Sequence, residues 1–310
     1  MARRVEELKK EKNAVILAHN YQIAEVQDIA DYVGDSLGLS QTAASTNAEI
    51  IVFCGVHFMA ETASIISPDK KVLIPDENAG CSLSDTITVE QLQEWKTEHP
   101  GAVVVSYVNT SAAVKSESDY CVTSSNAVKV VESIPPDRKI LFLPDIFLGS
   151  YVSRVTGREM EIWPGECHVH AGIKVKDIKR VRDEHPAAEV VIHPECGCTT
   201  HYLYDSVSGG EAAGDVRFLS TSGMTEYARN GGDEFIVATE TGMLHRLRKD
   251  NPGKKFFPAS PEAVCEYMKM ITLEKVLLSL TDEIYEVKVP ENLAIRAKKP
   301  IDRMLGASER

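Results

Sequence analysis

The sequence has no long apolar run; nothing in its 310 residues approaches the length a membrane-spanning helix needs. It has no basic block either. Lys and Arg number 34 against 46 Asp and Glu, for a net charge of −12, so a surface that tracks nucleic-acid phosphates is not expected. An anionic ligand must then be held by local positive ends and not by the overall field. The opening residues, MARRVEELKKEKNAVIL, contain no apolar signal core and no small-residue cleavage pattern, which predicts a cytoplasmic protein. In that compartment the seven cysteines are not expected to form a disulfide framework, and their odd number agrees. There is no GxGxxG and no P-loop, so no dinucleotide or ATP site is indicated. What is present is 43% hydrophobic side chain, enough to bury a large core, and length for two or more compact units.

Strand-like and helix-like patterns alternate along the whole chain, which predicts an α/β fold. The more useful signal is self-similarity. AVILAHNYQ (14–22), AVVVSYVNT (102–110) and EVVIHPECG (189–197) are β-branched runs that each end in a polar-x-polar tip: His19-x-Tyr21, Tyr107-x-Asn109 and His193-x-Glu195. The tips stand 88 and 86 residues apart, and a helical pattern precedes each: VEELKKEK, TVEQLQEW and VKDIKRVR. Later in each copy come DYVGDS, DYCVTS and DVRFLST, short runs that end in a hydroxyl residue before a helical pattern. Ser36 follows His19 by 17 residues and Ser124 follows Tyr107 by 17, whereas Thr221 follows His193 by 28. The excess falls in CGCTTHYLYDSVSGGEAAG (196–214), which reads as a surface-loop insertion. A third strand (EIIVFCG, RKILFLP, EFIVATE) and a fourth that runs into proline (KKVLIP, REMEIWP, KKFFP) complete each copy. Within a few residues of each such proline stands a cysteine: Cys81, Cys167 and Cys265.

The expected architecture is therefore three homologous three-layer α/β units, residues 1–83, 84–169 and 170–269, with short, mostly parallel sheets around a pseudo-three-fold axis. The tail, 270–310, is expected to pack back on the first unit. Ligands of parallel α/β sheets bind at the carboxyl ends of strands, so the three tips should face one crevice.

A single cytoplasmic cysteine is ordinarily a buried small hydrophobe, and Cys54 and Cys121 in their apolar runs fit that reading. Three cysteines at equivalent places in three repeated units can instead converge on one point. Such a set suits zinc or an iron–sulfur cluster and leaves one coordination position open. Spacing alone leaves buried thiols and a metal site as alternatives. Cys196 and Cys198 are read as not catalytic, and His57, His99, His185, His201 and His245 as structural. His19 and His193 differ because they share a repeated tip position. With Tyr21, Tyr107, Asn109 and Glu195 they put donors, acceptors and proton carriers in one crevice. His170, three residues after Cys167, is a candidate metal ligand or substrate contact. Ser36, Ser124 and Thr221 read as helix N-caps, whose backbone N–H groups and positive dipole end also suit a phosphate or carboxylate.

LAHNYQ, DIADYVGDS, FMAET, SYVNTSA, TSSNAV, GECHVH and VIHPEC, in this order and with the three spaced cysteines, resemble the bacterial and archaeal quinolinate synthases along nearly the whole chain. The resemblance implies three homologous α/β domains around a pseudo-three-fold axis, with an oxygen-sensitive 4Fe-4S cluster at the centre. It implies a transferase that condenses iminoaspartate with dihydroxyacetone phosphate, losing phosphate and two waters, to make quinolinate for NAD biosynthesis. A functional link to L-aspartate oxidase or aspartate dehydrogenase follows, with neither nucleic acid nor membrane as partner. By the same resemblance Cys81, Cys167 and Cys265 hold the cluster and leave one iron open as a Lewis acid. Binding positions of the family match His19, Ser36, Tyr107, Asn109, Ser124, His170, His193, Glu195, Ser220 and Thr221. The implied catalytic set is Tyr21, Glu195, His193 and Tyr107, with Tyr21 and Glu195 at positions implicated in proton transfer. Closing a pyridine ring needs repeated proton moves, for which an imidazole, a phenol and a carboxylate around one substrate are apt.

Two features depart from the family pattern. The Cys196-x-Cys198 insertion is absent from its shorter members. Where some members carry Cys-x-x-Cys-x-x-Cys, this chain has SPEAVCEYMK with one cysteine, so no redox control is expected there. The competing readings are a different 4Fe-4S hydro-lyase and a non-enzymatic phosphate-ligand binding protein with a zinc site.

Overall fold

The computed structural model describes residues 1–208 and 216–308. The first unit comprises α1 (Ala2–Glu11), β1 (Ala14–His19), α2 (Ala24–Ile29), β2 (Tyr32–Gly34), α3 (Ser36–Ser45), β3 (Ile50–Cys54), α4 (His57–Ile66) and β4 (Lys71–Leu73). The second comprises α5 (Val89–Glu98), β5 (Val103–Tyr107), α6 (Ala112–Ser116), β6 (Tyr120–Val122), α7 (Ala127–Ser133), β7 (Ile140–Leu143), α8 (Ile146–Thr156), β8 (Glu161–Ile162) and the short α9 (His168–Gly172). The third runs α10 (Val175–Glu184), β9 (Glu189–Ile192), α11 (Thr199–Ser208), β10 (Val216–Phe218), α12 (Thr221–Asn230), β11 (Glu234–Ala238), α13 (Met243–Asp250), β12 (Lys255–Pro258) and α14 (Glu266–Lys269). The tail adds α15 (Leu273–Asp282) and α16 (Glu291–Ser308).

Each unit builds one four-stranded sheet with every neighbouring pair parallel, ordered β2-β1-β3-β4, β6-β5-β7-β8 and β10-β9-β11-β12. The β-branched runs lie inside these sheets; β3 and β5 are buried along their whole length, as strands covered by helices on both faces must be. The order reverses between the first and third strands of each unit. A crevice therefore opens beyond their carboxyl ends, where the polar tips sit. The repeated Asp-Tyr pairs have a local cause. The carboxylates of Asp31 and Asp119 accept the backbone N–H of Ile16 and Val104, both at 2.8 Å, and so tie the short edge strands β2 and β6 to the strands beside them.

One apolar cluster runs through the first two units, part of the third and the tail helices, from Val5 to Met304. Smaller clusters fill the rest of the third unit, around Val190 and Ile236, and of the second, around Val104 and Leu141. The tail divides: α15 packs on α1, α2 and β3, whereas α16 packs on α6, β6, α7 and α4 and so straps the first two units together. The insertion after the third tip differs from its expected form. Cys196 and Cys198 are fully buried, and Thr199–Ser208 is the helix α11, which packs on α8 of the second unit. Tyr202, 2% exposed, gives that helix an apolar anchor which its polar neighbours disguise in the sequence. Residues 209–214 of the insertion lie outside the described residues.

Candidate active site

β1, β5 and β9 end at one cavity. Their tips bring His19, Tyr21, Tyr107, Asn109, His193 and Glu195 to its wall, and all of these except the half-buried Asn109 are at most 8% exposed. Cys81, Cys167, Cys265, Ser36, Ser124, His170 and Thr221 line the same cavity. Ser220, next to Thr221, is not among the residues that line it. Its hydroxyl is turned into its own helix, where it caps α12 by accepting the Gly223 N–H at 3.1 Å.

Glu195 is the hub. Its Oε2 lies 3.2 Å from His193 Nδ1 and 3.3 Å from His170 Nδ1, and the two imidazoles stack with centroids 5.0 Å apart. Burial pushes the Glu195 carboxyl up, but the imidazoles of His170 and His193 more than offset that and hold it below the usual carboxylate range. Burial pulls both His19 and His170 down to about 4, so they serve as neutral imidazoles at pH 7. Burial, reinforced by the Glu195 charge, pushes the phenols of Tyr21 and Tyr107 well up. The site thus holds an ionised Glu195 beside two neutral imidazoles, His19 and His170, and two protonated phenols, Tyr21 and Tyr107. The Tyr21 hydroxyl lies 2.6 Å from Thr239 Oγ1 and 3.2 Å from His170 Nε2, and His193 Nε2 lies 3.1 Å from Ser124 Oγ across the second and third units. Asn109 Oδ1 and Glu195 Oε1 are buried without a hydrogen-bond partner. Buried polar atoms are normally satisfied, so these two mark where a polar ligand belongs.

The hydroxyl residues sit one or two positions from their expected cap roles. Asp35, not Ser36, caps α3 by accepting the Gly38 N–H at 2.8 Å, and Thr221 is the first helical residue after its cap, Ser220. Ser124 lies in the turn before α7, whose cap position is Asn126. A cap needs extended backbone and a side chain that reaches the third helical N–H. Asp35 and Ser220 meet both conditions, which frees Ser36 and Thr221 to face the cavity.

The three cysteines share one local design. Backbone N–H groups two and three residues on point at each sulfur: Leu83 and Ser84 at Cys81, Val169 and His170 at Cys167, Tyr267 and Met268 at Cys265. Cys81 is near enough to Cys265, and Cys167 to Cys81, for each to raise its neighbour's pKa, and burial raises all three. Three converging, partly buried thiols, each with amide donors ready for a sulfur carrying negative charge, fit an iron–sulfur cluster or zinc. Cys54 and Cys121 point elsewhere, inside β3 and β6. Of the other histidines, His185 stacks on Phe257 and His245 pairs with Asp28 at 2.9 Å, away from the cavity.

Several residues at the site were not singled out from sequence. Asp35 and Glu240 line the cavity, and Thr239 bonds Tyr21 and His170. Thr239 and Glu240 directly follow β11, but the equivalent strands of the other units end in Cys-Gly and Leu-Pro, so no repeated polar tip marks them in the sequence. Asn20, between His19 and Tyr21, donates to Thr221 Oγ1 at 2.9 Å and joins the first unit to the third.

Among the described residues no helix is long and apolar enough to cross a membrane. The family model for quinolinate synthetase A protein (NadA) matches residues 3–306. The quinolinate synthase of Thermus thermophilus is 56% identical over 306 residues, 98% of this chain and 96% of the relative. That of Pyrobaculum aerophilum is 54% identical over 298 residues, 96% of each chain. That of Mycobacterium tuberculosis is 54% identical over 296 residues, 95% of this chain and 85% of the relative. With the family pattern matched from end to end, and with three strand tips and three thiols around one cavity, the chain belongs to the quinolinate synthase family.

Proposed function

We propose that the chain is a cytoplasmic quinolinate synthase, condensing iminoaspartate with dihydroxyacetone phosphate to quinolinate, with loss of phosphate and two waters, in NAD biosynthesis. The observation that carries this reading is one cavity lined by the tips of β1, β5 and β9 together with Cys81, Cys167 and Cys265. Those cysteines are the residues to hold a 4Fe-4S cluster, which when bound supplies a Lewis-acid iron with an open position for dehydration. An aspartate oxidase or aspartate dehydrogenase is the expected source of iminoaspartate.

The chain's own side chains divide the remaining work. Glu195, ionised and buried, is the base that takes substrate protons, and His193 and His170 steady its charge. Tyr21, whose phenol keeps its proton, donates one and is aimed by Thr239. Tyr107 and Asn109 offer a hydroxyl and an amide to the substrate's polar groups. Ser36 and Thr221, at the N-terminal ends of α3 and α12, and Ser124 offer hydroxyls to its phosphate and carboxylates. His19 contributes a neutral imidazole. Val56, Phe58 and Met59 form an apolar wall that keeps water away from reactive intermediates.

The test is anaerobic reconstitution of the full chain, with iron, sulfide and quinolinate measured together. Matching iron and sulfide with quinolinate formed is the expected result. Iron and sulfide without quinolinate would defeat the activity and favour another cluster-dependent hydro-lyase. Zinc without sulfide would defeat the cluster.

A further inference from the structure

Just beyond β11 stands an ion pair, its carboxylate buried and its lysine 23% exposed, to which the reaction gives no part. Glu240 is 1% exposed; its Oε1 accepts the backbone N–H of Cys265 at 3.0 Å and lies 2.8 Å from Lys269 Nζ. Its Oε2 accepts the Gly242 N–H at 2.7 Å. Lys269 Nζ donates in turn to the backbone carbonyl of Tyr21. Two side chains thus connect the first strand tip of the first unit to the cysteine of the third unit.

The junction has no slack. A Cβ at Gly242 would stand 2.7 Å from the Tyr21 carbonyl oxygen and 2.8 Å from both Glu240 Oε2 and Lys269 Nζ. Gln27 ties the same corner from behind, donating to the carbonyls of Gln22 at 2.8 Å, Gly242 at 3.0 Å and Asn20 at 3.1 Å. An ion pair with one buried partner is a weak source of net stability, because the cost of desolvation offsets much of the attraction. What it does supply is direction: a carboxylate and an ammonium that together grip two backbone groups from distant parts of the chain.

We propose that Glu240 and Lys269 are positioning residues. They fix the Cys265 backbone against the Tyr21 backbone and so set the Tyr21 phenol relative to the group held by the three thiols. Their balanced charges also set the local potential at Cys265. The proposal rests on the cluster reading above.

The test uses the reconstituted full chain as wild type, Lys269→Met, Lys269→Arg and Glu240→Gln. Lys269→Met keeps the iron content and lowers kcat about tenfold with KM nearly unchanged, since misplacing a reacting group costs rate and not binding. Lys269→Arg, which keeps the charge and a donor, recovers most of that loss. Glu240→Gln still offers an oxygen to the Cys265 N–H, so it is the variant safest from misfolding. It leaves Lys269 uncompensated and raises the cluster's reduction potential, whereas Lys269→Met leaves Glu240 uncompensated and lowers it. Loss of packing would not move the potential in opposite directions. Variants with wild-type kcat and potential, or with potentials moved the same way, would overturn the proposal while wild-type iron and turnover left the enzyme assignment standing. A wild-type chain without iron would overturn the cluster reading and this proposal with it.

Discussion

Glu195 Oε2 stands 3.2 Å from His193 Nδ1, its neighbour two residues back on the same strand tip, and both residues are 3% exposed. A carboxylate so buried is tolerable only where partners replace its lost hydration. Here the partners are two imidazoles and a phenol, all from the same cavity.

Replacing that charge should therefore spare the fold and stop the chemistry. Glu195→Gln keeps the side chain's shape, and the expected result is unchanged iron content with turnover down by about 10²–10⁴, the range for losing a general base. Iron analysis beside a quinolinate assay checks it. Near-normal turnover would remove Glu195 from proton transfer.

Cys81 and Cys54 separate metal ligation from packing. Cys81 faces the cavity with two amide donors on its sulfur, while Cys54 is enclosed in β3. Cys81→Ser should reconstitute with little or no cluster. Cys54→Ser should retain it and lose about 1–2 kcal/mol of stability, from a hydroxyl buried where a thiol packed. Visible absorbance, iron content and thermal unfolding read out both; full iron in both variants would refute the ligand assignment.

Gly197, between Cys196 and Cys198, is wedged against the short helix that Cys167 caps. Its N–H donates to the His170 carbonyl at 3.0 Å, and a Cβ there would lie 2.6 Å from the Ala171 carbonyl oxygen. Gly197→Ala must push this backbone aside. It should cost about 1–3 kcal/mol, as overpacking does, and speed iron release to a chelator. A variant with wild-type melting and iron retention would show that the insertion does not brace Cys167.

The tail's attachment should depend on pH. Glu283 lies 2.8 Å from Lys12 Nζ and 2.5 Å from Lys71 Nζ, and these two ammonium groups hold its carboxyl near 2, below its ordinary 4.5. A carboxyl depressed by folding stabilises the native state above its unfolded pKa and loses that contribution as pH falls toward the folded one. Wild type should thus melt above Glu283→Gln at pH 7, with the gap closing between about pH 4.5 and 2. Because the three groups are partly exposed, salt should shrink the gap as well. A gap that persisted at pH 2 would show that the contact acts through packing and not through charge.

Much of the plan was legible in the sequence because it is written locally. A β-branched run that ends in a polar pair, an aspartate before a short edge strand, and a proline followed by cysteine are patterns within a few residues, and each occurs more than once. They were enough to expect three α/β sheets and to single out His19, Tyr21, Tyr107, Asn109, His193 and Glu195, which the fold brings to one cavity. Cap positions lie one or two residues from those expected because backbone angle, not residue type, decides whether Asp35 or Ser36 closes the helix. The insertion was misread because the burial of Tyr202 and Cys198 comes from neighbours distant in the chain.

The sequence by itself determined the strand pattern, the three repeated tips and the three cysteines, since alternation and spacing follow from the chain's own periodicity. Only the tertiary structure decided how the copies face each other. It joined Tyr21 to Lys269 and Glu240, set Ser124 against His193, and carried α16 across to the second unit. Those contacts link segments far apart in the chain. Their geometry depends on how whole sheets and helices pack, and residue spacing within one segment does not encode that.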